Sequence, residues 1–321
     1  MSTTKIPLPL KWHGGKKDLA SWIISLMPPR CQNPNKPVDD DPGWLHYVEP
    51  YFGGGAVLLT NDPEGISEVV NDLNGDLTNF WEVLQSDSLF PKFLRIIQAT
   101  PFSETEWRIS SCFAGNNPQI RARDFFVRCR QSLAGRMKSF TGVTKTRIRR
   151  RMNNEVSAWL TGIEGLPAVH DRLKRVLIVG PDDALNVIRK HDGPRTLFYL
   201  DPPYLHETRA TTGEYEYEMT ETDHKRLLMA LTGPRFKGRF LLSGYRSNIY
   251  DQHAELEGWI RHEMKINNHA AGGKTKKIMT ECAWANYRPA PSSLATPDAS
   301  AGTEQKDAKA GPKKGLLGLL T

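Results

Sequence analysis

The apolar positions of this chain follow two regimes. In the first, short unbroken apolar runs stop at turn residues, as buried strands do, and alternate with stretches whose apolar residues recur at helical spacing. His46 to Glu49, Ser67 to Asn74, Val176 to Val179, Thr196 to Leu200, Phe240 to Tyr245 and Glu281 to Tyr287 read as strands. Helices are predicted over Leu19 to Met27, Asp76 to Leu84 and Asp183 to His191, and from the capping-box sequence Thr220-Glu221-Thr222-Asp223 through Leu231. That order is the pattern of an open α/β sheet. In the second regime, from Phe90 to about Val176, helical spacing dominates without intervening strands, as at Arg123 to Leu133 and Glu155 to Gly162. Trp107, Phe125, Phe126 and Trp159 are read there as core residues, because large aromatics bury the most apolar surface.

Between the regimes lie segments with no apolar face. Pro34 to Gly43 is rich in proline and aspartate and reads as a surface loop. Gly142 to Arg151 carries too few apolar residues to bury a face and is expected to be a solvated arm or loop. Tyr215 to Met219 and the Gly- and Lys-rich Asn267 to Lys277 are read as loops, the latter a mobile loop near the ligand face. After Arg288 the composition falls to Pro, Ala, Ser, Asp and Lys, which cannot offset the entropy of ordering a chain. The organisation expected is therefore a core part over 1–84, a helical insertion over 85–178, a second core part over 179–288 and a disordered tail over 289–321.

An apolar fraction of 39% with 25% charged residues suits a folded enzyme and changes little. No window approaches the roughly 20 apolar residues of a membrane span, and Met1 to Lys5 lacks a signal-peptide core, so a cytoplasmic location is expected. Cys31, Cys112, Cys129 and Cys282 are scattered, and their spacing indicates neither a metal site nor a thiol nucleophile. Charge changes the picture more. The formal net charge is +7, yet Arg121 to Arg151 holds eleven basic residues against the single acid Asp124, so the rest of the chain sums to −3. A run that lacks acids is unlike an ordinary solvated face, which mixes both signs, and it points to a polyanionic partner.

The candidate chemistry gathers at Asp201-Pro202-Pro203-Tyr204. The apolar run Thr196 to Leu200 stops at two prolines, which can neither donate to a ladder nor continue a helix, so the chain must turn at Asp201. A carboxylate, the Pro202 carbonyl and an aromatic ring are thereby left at the carboxyl end of a strand, where open α/β sheets bind ligands. Two acceptors and a flat face suit an amino group on a planar ring. Upstream, Glu49-Pro50-Tyr51-Phe52-Gly53-Gly54-Gly55 is a strand end and glycine turn, followed about 20 residues later by the strand-terminal Asp72, a pattern that binds adenosine-type cofactors. Lys11-Trp12-His13-Gly14-Gly15-Lys16 places two glycines ahead of a helix. A tight turn explains them when they are taken alone, and the spacing is not that of a P-loop.

Taken together and in this order, these motifs resemble the Dam-like (D12 class) N6-adenine DNA methyltransferases, especially phage and prophage members, over about residues 8 to 288. The resemblance implies a Rossmann-like sheet with an inserted, mostly helical target-recognition domain, S-adenosylmethionine as cofactor and double-stranded DNA as partner, with a monomer or weak dimer expected. It implies that Trp12 and Lys16 line the cofactor pocket and that Glu49, Tyr51, Gly53 and Gly55 cradle the cofactor. Asp72 would hold the ribose, and Asp183 would lie near the cofactor adenine. Asp201, Pro202 and Tyr204 would be catalytic, and Lys11, Arg136, Arg147, Arg149, Arg150 and Arg151 would meet DNA. Inside residues 110 to 150 no residue-by-residue correspondence exists. Methylation of another planar amine, cytosine N4 or adenine in RNA, and a catalytically lapsed DNA-binding protein of the same fold are the competing readings.

Overall fold

The architecture comes from a computed structural model of the chain, which describes residues 6–112, 115–205, 218–267 and 278–289. Most of the Tyr215 to Met219 and Asn267 to Lys277 loops, and nearly all of the tail, lie outside the described residues. The strands are β1 (His46–Glu49), β2 (Ser67–Asn71), β3 (Ile148–Arg149), β4 (Met152–Asn153), β5 (Val176–Val179), β6 (Thr196–Leu200), β7 (Arg239–Gly244), β8 (Ile260–Asn267) and β9 (Ile278–Ala285). Seven of them form one sheet in the order β5-β2-β1-β6-β7-β9-β8. β1 pairs parallel with β2 and β6, β2 with β5, and β6 with β7, while β9 runs antiparallel between β7 and β8. This is a mixed α/β, Rossmann-like architecture of the kind the sequence predicts.

The sheet is buried on both faces, and neighbouring residues of one strand enter different cores. Tyr47, Val70, Leu197, Tyr199 and Leu241 join one apolar cluster, and Val48, Val69, Phe198, Leu200 and Leu242 the other. That is the two-residue period of a strand, and it explains why these strands are continuous apolar runs. The first cluster extends into the helical insertion through Ala122, Phe125, Phe126, Val127 and Trp159, so that the sheet and the insertion share one core. Trp107 packs against that core while remaining partly exposed.

Among the strands, two regions depart from expectation. β8 is absent from the predicted strands because Ile260-Arg261-His262-Glu263 mixes charge into every second position. Its place at the sheet edge explains those charges, which discourage pairing with another chain. In the expected loop Gly142 to Arg151, β3 pairs antiparallel with β4 across a two-residue turn, Arg149 opposite Met152. Arg150 and Arg151 at that turn have φ of 52° and 62°. Positive φ at both central residues is the type I′ turn, which Asn-Gly usually marks. Two arginines carry no such signal.

The chain moves from β1 outward through β2 to β5, then returns to the opposite side of β1 as β6. The order of strands therefore reverses between β1 and β6, and a crevice opens beyond their carboxyl ends.

Candidate active site

Glu49 ends β1 and Asp201 follows β6, so the two acids flank this crevice. A cavity of ≈ 660 Å³ occupies it, within the range of small-molecule sites. Its lining includes Trp12, Lys16, Glu49, Tyr51, Gly53, Gly55, Asp72, Asp183, Asp201, Pro202 and Tyr204, together with Arg136. The structure thus gathers every residue proposed for catalysis or cofactor binding. Lys11, Arg147, Arg149, Arg150 and Arg151 stand apart from the lining.

The glycine turn is shaped by its neighbours as much as by any ligand. Gly53 and Gly55 have φ of 51° and 68°, where a side chain is strained. A Cβ on Gly53 would lie 2.8 Å from Trp12 Nε1, and one on Gly54 would lie 2.6 Å from Trp12 Cβ. The glycines therefore let the Trp12 indole lie on the turn. Gly53 N–H donates to Asp72 Oδ2 at 2.8 Å, and Asn74 N–H donates to Asp72 Oδ1 at 3.0 Å. Burial raises the Asp72 carboxyl above its ordinary range, against these backbone hydrogen bonds.

Asn71, to which the sequence assigns no role of its own, laces three strand ends together. Its Nδ2 donates to Pro50 O at 3.0 Å and Asp182 O at 2.9 Å, and its Oδ1 accepts from Asp182 N–H at 3.1 Å. Asp183 follows as the N-cap of the helix Ala184–His191 and accepts from Leu185 N–H at 2.8 Å. On the other side of the crevice, Glu49 is 2% exposed and accepts from the Tyr47 hydroxyl at 2.8 Å. Burial pushes its carboxyl up to about 8, with the nearby Glu68 and Asp201 charges adding to the shift despite the Tyr47 bond.

At Asp201 the surroundings are charged. Lys16, itself buried, places Nζ 2.8 Å from Asp201 Oδ1, 3.8 Å from Glu281 and 4.8 Å from the Tyr204 ring centroid. It also donates to Gly14 O at 3.0 Å, which ties the Gly14-Gly15 turn to the site. The Tyr204 hydroxyl donates to Glu281, and the Tyr204 ring meets the edge of Tyr245 at 4.8 Å. Glu281 and Tyr245 were invisible to sequence reasoning. Their only signal is position at strand ends, and it has meaning once β7 and β9 are known to be neighbours.

Among the basic residues, Lys11 pairs with Glu155 at 2.8 Å. Arg150 makes a two-pronged bond to Glu164 at 2.9 and 3.0 Å. Arg147, Arg149 and Arg151 are exposed. Arg121 and Arg128 reach Asp76 at 2.8 and 3.4 Å, and Arg123 pairs with Glu106. Acids outside the basic segment thus neutralise part of it.

A Rossmann-like sheet with an acid-lined cavity at its switch point, beside Asp-Pro-Pro-Tyr, is the arrangement expected of an amino-group methyltransferase. Residues 12–159 match the family model of D12 class N6 adenine-specific DNA methyltransferases. The matched span holds Trp12, the glycine turn and Asp72, and it ends before β6. The chain is 25% identical over 235 residues to the Type II methyltransferase M.MjaIII of Methanocaldococcus jannaschii, covering 68% of this chain and 76% of that protein. It is 22% identical over 287 residues to the Type II methyltransferase M1.LlaDCHI of Lactococcus lactis subsp. cremoris, covering 86% of this chain and 94% of that one. These similarities support an adenine-specific DNA methyltransferase, a reaction that requires a methyl donor. No helix among the described residues is long and apolar enough to cross a membrane.

Proposed function

We propose that the chain uses S-adenosylmethionine to methylate the N6 amino group of an adenine rotated out of duplex DNA. The cavity suits that donor in size and in chemistry, since Glu49, Asp72 and Asp183 supply acceptors for ammonium, ribose and adenine groups. When bound, S-adenosylmethionine supplies a methyl group made electrophilic by a cationic sulfur. Glu49 would hold the ammonium group, Asp72 the ribose, and Trp12 and the Gly53 to Gly55 turn the walls between them.

The protein's own task at the amine is positional. The exocyclic nitrogen of adenine shares its lone pair with the ring and is a poor nucleophile until its N–H bonds are held out of that plane. Asp201 and the Pro202 carbonyl are the acceptors that would hold them, and Tyr204 is the face on which the base would stack. Stacking offsets part of the few kcal/mol lost when a base leaves the duplex. Such positioning and electrostatics need no covalent intermediate. Lys11, Arg136, Arg147, Arg149 and Arg151 would face the DNA in this reading, whereas Arg150 is held by Glu164.

The observation that carries the proposal is the convergence of Asp201, Pro202 and Tyr204 on the cavity shared with Glu49 and Asp72. Its test is incubation of the full chain with S-adenosylmethionine and mixed-sequence duplex, followed by digestion to nucleosides. N6-methyladenine is the expected product. N4-methylcytosine, or product from RNA alone, would overturn the assignment of the substrate.

A further inference from the structure

Glu281 enters the site from β9, the strand that runs against the others. Because β9 is antiparallel to β7, with Cys282 opposite Gly244, Glu281 is delivered to the end of the sheet where β6 releases Asp201. There it is 2% exposed. A carboxyl buried to that degree needs partners, and it has two of different kinds. The Tyr204 hydroxyl donates to it, and the Lys16 ammonium stands 3.8 Å away, already in contact with Asp201 at 2.8 Å.

This geometry raises two questions that the proposed reaction leaves open. A stacking ring needs a fixed plane, and an edge contact with Tyr245 alone would leave Tyr204 free to rock about its side-chain torsions. Asp201 must also accept a bond from the incoming amine with Lys16 already on its Oδ1, and a buried ammonium displaced from one carboxylate without another is costly. Glu281 answers both. We propose that Glu281 is a positioning residue of the transfer site: it fixes the Tyr204 ring through the phenol hydroxyl and offers Lys16 a second carboxylate when Asp201 engages the target amine. The inference rests on the methyltransferase reading above and adds a residue that the Asp-Pro-Pro-Tyr motif does not contain.

Glu281 touches neither base nor cofactor in this account, so its loss must appear in the transfer step and not in binding. Single-turnover methylation of a duplex that the wild-type chain modifies is measured for Glu281→Ala, Glu281→Gln and Tyr204→Phe, and for the Glu281→Gln/Tyr204→Phe pair. Duplex affinity and S-adenosylhomocysteine affinity are measured alongside. Glu281→Ala is expected to slow transfer by about tenfold to a hundredfold, the scale of a mis-set reacting group, with both affinities unchanged. Glu281→Gln keeps an acceptor for Tyr204 while losing the charge beside Lys16, so it should fall between wild type and Glu281→Ala. The pair should be less damaging than the product of its single effects, because Tyr204→Phe removes the same bond that Glu281→Gln weakens by taking the charge from its acceptor.

A wild-type transfer rate in Glu281→Ala overturns the inference. So does a rate loss that only tracks lost duplex or S-adenosylhomocysteine binding, or independent, multiplying effects in the pair. If Glu281→Ala does not fold, the near-isosteric Glu281→Gln and the Tyr204→Phe pair still decide. A wild-type chain that methylates no adenine would instead overturn the underlying reading, and the inference with it.

Discussion

Glu49 and Asp72 are both acids that burial holds above the ordinary carboxyl range, and they lead to different predictions. With its carboxyl pushed up to about 8, Glu49 keeps a proton in the folded empty site that the unfolded chain, at its ordinary 4.5, has released. The folded state binds more protons between those values, so stability should fall as pH rises from 4.5 to about 8, and Glu49→Gln should flatten that slope in pH-dependent melting. Binding of a cationic ligand favours the ionised form. Cofactor affinity should therefore rise with pH up to about 8 and then level, with proton release visible by calorimetry in buffers of different ionisation enthalpy. A flat affinity profile in the wild-type chain would remove Glu49 from the ammonium site. Asp72→Ala should weaken cofactor binding by about 1.5 to 3 kcal/mol, the range for hydrogen bonds to charged groups, and leave duplex affinity alone. It should also lower thermal stability, because Gly53 N–H and Asn74 N–H lose their acceptor. At this scale Asp201 was legible because two prolines force a turn beside it. Asn71 and Glu281 were not, because their partners lie far along the chain and local sequence does not encode which segments become neighbours.

At the scale of elements, legibility followed burial. β6 is buried at all five positions and announced itself as an apolar run, whereas the edge strand β8 is partly exposed and charged and did not. The helix Glu221–Thr232 carries the predicted capping box, with the Thr220 side chain accepting from Asp223 N–H. The β3–β4 hairpin was missed for a conformational reason, since its turn places two arginines at positive φ without the glycine that normally signals it. Holding a non-glycine residue in that region costs on the order of 1 to 2 kcal/mol. The two-pronged bond from Arg150 to Glu164 helps to offset it, along with a bond to Thr161 at 3.1 Å. Arg150 is thereby committed within the chain, while Arg147, Arg149 and Arg151 stay exposed. If the hairpin lies along DNA, replacing those three by alanine should flatten the plot of log affinity against log salt by up to about three units, with cofactor binding unaffected. Adding Arg150→Ala should change that slope little further. An unaltered slope in the triple variant would mean that the duplex approaches from elsewhere.

Across the whole molecule, the sheet and the helical insertion share one core, and the cavity takes its lining from both. Glu49, Asp72 and Asp201 come from strand ends, whereas Arg136 comes from the segment after the helix Pro118–Arg130. A count of charge along the sequence exaggerated the basic field, because Asp76, Glu106 and Glu164 fold back onto the arginines of the insertion. In the proposed reaction one site binds the methyl donor and holds the target amine with separate groups. Asp201→Ala tests it most directly, measured as single-turnover formation of N6-methyladenine beside calorimetric affinity for S-adenosylmethionine. Loss of methylation with the affinity essentially unchanged is the predicted result, and an Asp201→Ala chain that still methylates adenine at the wild-type rate would contradict the account.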